Sequence, residues 1–468
     1  MQKIKEEGMS IRQEMARYCA GLTFDALPKN VVEFTKLVLM DQIGLMVAGV
    51  RTYSDDFPDI ARLMKDVGGR EESSIVPSGG KIPCLNATLV NTSFGISTSF
   101  DAVHRNPVLH LPAALIPAMI AVGEKEKASG RDLILATVVG AEIMTRVALA
   151  LGRHLVYARA FHRTSICGPF ASAAGAGKLL GLGQTESAEA LSLAAVQAAG
   201  SQVWTGPLYP GSWSFQVGRA AQSGVMAAML AQIGLTGPDR IFEDERGFLR
   251  AYSEKPEPMM LTEGLGERYD ILGIPFKRFT VGIYIITGME ALIDMRRKDE
   301  VRAEQIEAMT IRLPTAVMPL VGFPEYPGNR ACAHVSTRYM LAVTAYMGAD
   351  IEYNLEAAGG AYRRDPRVVD LFERINIVGD PELDKAFPEK KSCIITIKTK
   401  DGKQLSRRND GPSKGDPENP LSKEDIEKKF NTMVTPVLGR DKAGQLRSMI
   451  HQLEKIADVS QLVDLTKK

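Results

Sequence analysis

Few residues in this sequence can move protons near neutral pH, and three of its six histidines fall in two short stretches. His104 and His110 lie in SFDAVHRNPVLHLP (99–112), with Asp101 nine residues before His110. His162 opens FHRTSICG, just ahead of a small-residue helix start. Imidazole titrates close to neutrality, so it suits both general-acid and general-base work. Arg105 and Arg163 each follow one of these histidines, and Lys277 and Arg278 sit side by side much later in the chain, in FKRF. Guanidinium and ammonium groups are the usual partners of a carboxylate. The histidines suit acid–base chemistry, and the cations suit holding an anion. The alternative for each histidine is a hydrogen-bonded structural residue, and for each lysine or arginine a solvated face or internal ion pair. His154, His334 and His451 read as structural or surface residues.

Both tryptophans of the chain, Trp204 and Trp213, lie in QVWTGPLYPGSWSFQ (202–216), with Tyr209 and Phe215. Such a cluster builds either a core or dimer-interface patch, or the apolar wall of a pocket. No GxGxxG opens a helix and no P-loop occurs; GAGKLLG (175–181) lacks the phosphate-loop spacing and reads as helix packing. No HExxH or His/Cys cluster has metal-ligand spacing, so neither cofactor nor metal is expected.

The elements that must position these residues are mostly helical up to about residue 265. Phe24 to Val50 carries apolar residues at helical spacing. Pro112 to Lys127 begins with proline at a first helical position, and Gly130 follows as a stop signal. Arg131 to Gly152 is a long apolar stretch with few charges, a buried helix. Pro169 to Gly200, rich in Ala, Gly and Ser, suits close helix contacts. Beyond 265 the texture changes. In Ile306–Leu313, Ile306, Ala308 and Thr310 alternate with Met309, Ile311 and Leu313. SCIITIK (392–398), Asp401-Gly402 and KQLSRR make a hairpin. SKEDIEKKF returns to helix, with Ser422 as N-cap and Asp425 three residues on. The fold class is therefore mostly α plus α+β. A discontinuous helical domain (1–265 and 415–468) has a smaller α+β domain (266–414) inserted, and a cleft between the two is a natural ligand site.

At 468 residues the chain can bury a large core without disulfides or metal. Its net charge of +1 gives no footprint for nucleic acid or an anionic membrane. Five scattered cysteines without a CxxC pair fit a reducing compartment. The N-terminus is too charged for a signal peptide, and no uncharged apolar run is long enough to span a bilayer. The expectation is a cytoplasmic protein.

Six stretches in this order resemble the MmgE/PrpD family: 99–118, 129–143, 161–182, 217–225, 276–284 and 414–430. The family includes 2-methylcitrate dehydratase, cis-aconitate decarboxylase and iminodisuccinate epimerase. The resemblance spans nearly the whole chain and implies the arrangement above, a homodimer, no cofactor and a small carboxylate substrate. By resemblance, His110 and His162 match the two catalytic histidines. His104 matches a frequent loop histidine, and Asp101 the first of an Asp pair. Lys277 matches a lysine facing the substrate carboxylate, and Arg219 a family arginine that clamps a carboxylate or pairs within the bundle.

The departures share a direction. Where the family has histidine, aspartate and aspartate, the chain has Ile96, Ser99 and Ala102. A lysine and a histidine become Trp213 and Gln216; an arginine and a histidine become Ile283 and Ile286. Losing a cation opposite a carboxylate removes a charge-assisted bond worth roughly 1.5–3 kcal/mol. A tricarboxylate such as 2-methylcitrate or cis-aconitate is therefore not the expected preferred substrate. Arg105, Arg163 and Arg278 are expected to rebuild carboxylate binding, with Trp204 and Trp213 walling a more apolar pocket. The expected activity is a lyase that abstracts a proton beside a carboxylate and releases water or carbon dioxide. His110 and His162 serve as acid and base in unassigned order, Lys277 stabilises the charge, and Asp101 orients His104 or the leaving hydroxyl. An epimerase or isomerase on a similar acid is the first alternative, and a catalytically inactive binding protein the second.

Overall fold

The computed structural model describes residues 9–56, 58–105, 107–152, 161–202 and 211–468. Helices of eight or more residues are numbered here. The first group is α1 (Ile11–Gly21), α2 (Lys29–Asp56), α3 (Ile60–Val67), α4 (Cys84–Ser97), α5 (Leu111–Glu126), α6 (Gly130–Ala150), α7 (Arg163–Leu179), α8 (Gln184–Val196) and α9 (Ser212–Gln232). Their buried faces form one large core. Helices α13 (Lys423–Leu438) and α14 (Arg440–His451), near the end of the chain, return to this core through Ile426, Phe430, Met433 and Leu446. A buried ion pair ties the return in place: Lys429 Nζ lies 2.8 Å from Asp41 Oδ1 on α2.

Local chemistry explains where the helices begin. Ser129 caps α6 and Ser422 caps α13, each in a reciprocal capping box with the aspartate three residues on. The long apolar stretch is α6, and 94% of its most hydrophobic 18-residue window is buried by protein. Length and apolarity alone would let it cross a membrane; here its neighbours α5 and α7 cover it. Small residues allow that packing. A Cβ on Gly140 of α6 would stand 2.7 Å from the Ala171 carbonyl of α7, and one on Gly224 of α9 only 2.3 Å from the Pro169 carbonyl. One stop signal is reassigned. Lys127, at φ 53°, takes the left-handed position that ends α5, while Gly130 opens α6 against the Leu453 carbonyl.

The second core lies between residues 279 and 405. Its sheet contains β3 (Ile306–Leu313), β4 (Ile375–Gly379), β5 (Cys393–Thr399) and β6 (Gln404–Asn409), in the order β4-β3-β5-β6; a separate small hairpin, β1 (Ser73–Ser74) with β2 (Lys81–Ile82), lies in the helical part. Strands β3 and β4 are parallel, and β3–β5 and β5–β6 antiparallel. The β5–β6 hairpin turns at Asp401-Gly402, as the sequence requires; Gly402 has φ +87°. Cys393, Ile395 and Ile397 face the core, where α10 (Ile286–Lys298), α11 (Thr337–Met347) and α12 (Pro366–Glu373) cover the sheet. Strand β3 departs from simple alternation. Ile306 is buried on the same core as Met309, Ile311 and Leu313, because a register shift between Ile306 and Ala308 changes the phase. All five cysteines are free and buried.

Candidate active site

The loop after α4 carries Asp101 and His110, nine residues apart. An antiparallel bridge between His104 and Leu109 folds that loop back on itself. The fold-back brings the Asp101 Oδ2 to 2.6 Å from His110 Nδ1. Three successive carbonyls fix the strand of chain leading to Asp101. Thr280 Oγ1 donates to Thr98 O at 2.7 Å, Lys277 Nζ to Ser99 O at 2.9 Å, and Lys429 Nζ to Phe100 O at 2.9 Å. Ser99 holds φ +50°, a left-handed conformation uncommon for a non-glycine residue.

His110 and His162 are the N-caps of α5 and α7. Their rings therefore stand at the amide ends of two packed helices, where negative charge is favoured. The ring centroids are 6.3 Å apart, and His110 packs edge-on against Trp213 at 5.7 Å. Both histidines line a cavity of about 130 Å³ with Lys277. Its walls are mostly apolar: Val103, Val108, Ile283, Tyr284, Val321 and Val335 are among them.

The hydrogen bonds assign the His162 tautomer. Gln216 Nε2 donates to Ser201 O at 3.3 Å, which leaves Gln216 Oε1 to accept from Ser165 Oγ at 3.0 Å. A hydroxyl has one proton, so Ser165 Oγ, 2.6 Å from His162 Nδ1, accepts the imidazole N–H. Nε2 is then the acceptor nitrogen. Burial, with His110 adding to it, pushes the His162 pKa down to about 3, so the ring is neutral at pH 7. His110 differs, because its Nδ1–H points to a carboxylate. Burial alone would raise the Asp101 carboxyl, but His110, Lys277 and Lys429 outweigh it and hold it below the usual carboxylate range. Burial lowers the Lys277 pKa to about 8, against the pull of Asp101 and Asp41.

The remaining sequence candidates are placed elsewhere or differently. His104 Nε2 meets the Asp270 carbonyl at 3.1 Å; it is buried outside the cavity, and Asp101 orients His110 instead of it. Arg105 pairs with Asp416 at 2.8 Å and Glu418 at 2.7 Å, and it lines a neighbouring cavity. Arg278 is held by Glu290 at 2.8 Å and Glu352 at 2.9 Å, clear of both cavities. Arg163 lines the histidine cavity, but its guanidinium donates to the carbonyls of Pro107 and Gly152 and braces the loop. Arg219 donates to Gln222 on its own helix. Trp204 and His154 lie outside the described residues. Acidic neighbours explain the arginine assignments: adjacency to a histidine in sequence says nothing about which carboxylates the fold brings to the guanidinium.

Sequence reasoning missed Ser165 and the Asp41–Lys429 pair. Ser165 follows His162 by three residues at a helix start, a spacing that could have marked it. Lys429 lay within the resembling stretch 414–430 but on a helix more than 300 residues from the loop it holds. Among the described residues no group of three or more His, Cys, Asp or Glu is placed to hold a metal ion.

A helical bundle is joined to a small mixed sheet, with two histidines and a lysine on one cavity where the two cores meet. The MmgE/PrpD N-terminal domain matches residues 13–260 and the MmgE/PrpD C-terminal domain residues 279–455, so the chain belongs to the MmgE/PrpD family. Relatives include cis-aconitate decarboxylase of Mus musculus, 26% identical over 98% of this chain and 93% of its own length. The Homo sapiens enzyme of the same name is 26% identical, covering 98% and 95%. That of Aspergillus terreus (strain NIH 2624 / FGSC A1156) is 24% identical, covering 97% and 95%.

Proposed function

We propose that this chain is a lyase that removes water or carbon dioxide from a small carboxylic acid, at a carbon next to a carboxylate. The observation that carries the reading is the pairing of unlike histidines on one cavity. His162 is neutral with Nε2 as acceptor; His110 is backed by the Asp101 carboxylate; Lys277 stands beside them. His162 acts as the base. His110 acts as the acid, its ring oriented by the Asp101 carboxylate at 2.6 Å. In a dehydration, His162 takes the α-proton, the C–H electron pair becomes the new double bond, and hydroxide leaves with a proton from His110. In a decarboxylation, the C–C pair of the departing carboxylate flows into the conjugated system, and a histidine returns a proton to carbon. In either case Lys277 and the amide ends of α5 and α7 offset the enediolate-like charge.

The relatives named as cis-aconitate decarboxylases support this class of chemistry. The walls argue for a different acid. Trp213 and Ile283 bring apolar surface to the cavity where the family resemblance implies a lysine and an arginine. A tricarboxylate would leave a charge unpaired in these surroundings.

The test is an exchange screen in D₂O with hydroxylated and unsaturated mono-, di- and tricarboxylates, cis-aconitate included, read by mass spectrometry. The expected result is deuterium uptake with loss of water or carbon dioxide on at least one acid, abolished in His162→Gln. Uptake at otherwise constant mass would assign an isomerase. No uptake on any acid would overturn the enzymatic reading.

A further inference from the structure

Beyond Lys277 lies a second cavity, of about 330 Å³, larger than the first. The two share Val103, Lys277 and Ile283 as lining residues, so Lys277 stands in the partition between them. The second cavity is rich in charge, but most of that charge is already satisfied. Arg105 is taken by Asp416 and Glu418, Asp410 accepts from Arg408, and Lys414 Nζ donates to the Pro420 carbonyl at 2.7 Å. Among the described residues two further lysines of the lining, Lys390 and Lys391, have no ion pair; Lys390 is exposed, and Lys391 is the less solvated of the two. Lys391 is half-buried two residues ahead of β5 and lines the cavity, yet no carboxylate among the described residues lies within 4 Å of its ammonium. Its ammonium stands over the face of Tyr284, with Nζ 5.9 Å from the ring centroid, and Tyr284 is a wall of the histidine cavity.

We propose that this second cavity is a carboxylate subsite with Lys391 as its cation, and that the ligand is an acid with two carboxylates. One carboxylate sits at Lys277 beside the histidines, and the other at Lys391. The reading rests on the proposed lyase site only for which end of the ligand reacts. A partly desolvated ammonium without a counter-ion is unfavourable until an anion joins it, and a carboxylate supplies both charge and acceptor oxygens. Burial pushes the Lys391 pKa down to about 7 against the opposing pull of Asp416, and an arriving carboxylate favours the charged form. The subsite also accounts for an otherwise apolar pocket. Trp213 and Ile283 leave the histidine cavity short of cations, and Lys391 returns one on the far side of Lys277. The two-cation arrangement selects by the spacing of the carboxylates as well as by their number.

The experiment is calorimetric binding to the full-length chain of two unreactive series. One is the straight α,ω-dicarboxylates from succinate to suberate; the other is the monocarboxylates from butyrate to octanoate. The parent protein is compared with Lys391→Met, which keeps the stem, and Lys391→Arg, which keeps the charge. The parent should prefer dicarboxylates, with an optimum length. Lys391→Met should weaken that optimum at least about tenfold, as loss of one charge-assisted contact requires, and leave monocarboxylates within about twofold. Lys391→Arg should recover most of the affinity. The proposal falls if the parent shows no preference for dicarboxylates, if folded Lys391→Met binds them like the parent, or if both series weaken alike. Binding is read without turnover. Lys391-dependent binding with no exchange on any acid would therefore keep the subsite and remove the lyase reading. Turnover with a KM that Lys391→Met does not move would do the reverse.

Discussion

Replacing Lys429 by methionine tests how the two ends of the chain build one site, and it needs no substrate. Lys429 is fully buried on α13. It pairs with Asp41 at 2.8 Å, donates to the Phe100 carbonyl at 2.9 Å, and stands 4.0 Å from the centroid of the Phe100 ring. Methionine keeps the apolar stem and removes the charge. Asp41, only 3% exposed, then lacks its cation, and breaking such a buried pair costs about 3–5 kcal/mol. The pH dependence follows from the same geometry. Burial raises the Asp41 carboxyl, with Lys429 the largest opposing influence, so the variant raises it further. A carboxyl whose folded value lies above its unfolded one destabilises the fold as pH climbs through the interval between them. The deficit should therefore be larger at about pH 7.5 than at about pH 5, at up to about 1.4 kcal/mol per unit. Adding Asp41→Asn should recover more than about half of the loss, because both charges are then gone. The assay is equilibrium urea unfolding followed by tryptophan fluorescence, which reports the helical part of the chain. A cost for Lys429→Met below about 1 kcal/mol would refute the reasoning, as would a double variant no more stable than the single one.

Three further outcomes follow from the site. Lys277, with its pKa lowered to about 8 by burial, is cationic below that pH and neutral above it. kcat/KM should fall as pH rises through about 8, and Lys277→Arg should move that limb beyond about pH 10; a flat profile between about pH 7 and 9.5 counts against a charged Lys277. Asp101→Asn preserves shape but removes the charge behind His110, so kcat should drop between about tenfold and a hundredfold with a smaller change in KM; an effect confined to KM would contradict that role. Trp213→Lys introduces a cation where the indole meets His110 at 5.7 Å, and tricarboxylate affinity measured by calorimetry should rise; unchanged affinity would mean Trp213 does not exclude them.

The periodic parts of the chain were legible because their causes are local. A long apolar run becomes α6, capping serines start α6 and α13, and Asp401-Gly402 turns the β5–β6 hairpin. Where a non-local contact competed, local signals slipped. Gly130 looked like the end of a helix, but the Leu453 carbonyl needs a residue without a side chain at the start of the next one. Strand β3 looked like plain alternation, but its pairing with β5 shifts the phase after Ile306.

The sequence by itself determined which groups were available: His110, His162, Lys277 and Asp101, in stretches resembling one family, with apolar residues where cations were expected. Tertiary structure decided what each became. It turned Asp101 to His110 and away from His104, because the His104–Leu109 bridge reverses the loop. It placed Arg105 and Arg278 against carboxylates supplied by distant segments, and among the described residues it left the half-buried Lys391 of the second cavity with no carboxylate within 4 Å. It also made His162 neutral, through burial and the nearby His110, against the opposing pull of Gln216. The physical reason is one of range. Residue type and periodicity are properties of a few neighbouring positions, whereas charge state and pairing depend on whatever the folded chain brings within a few ångströms.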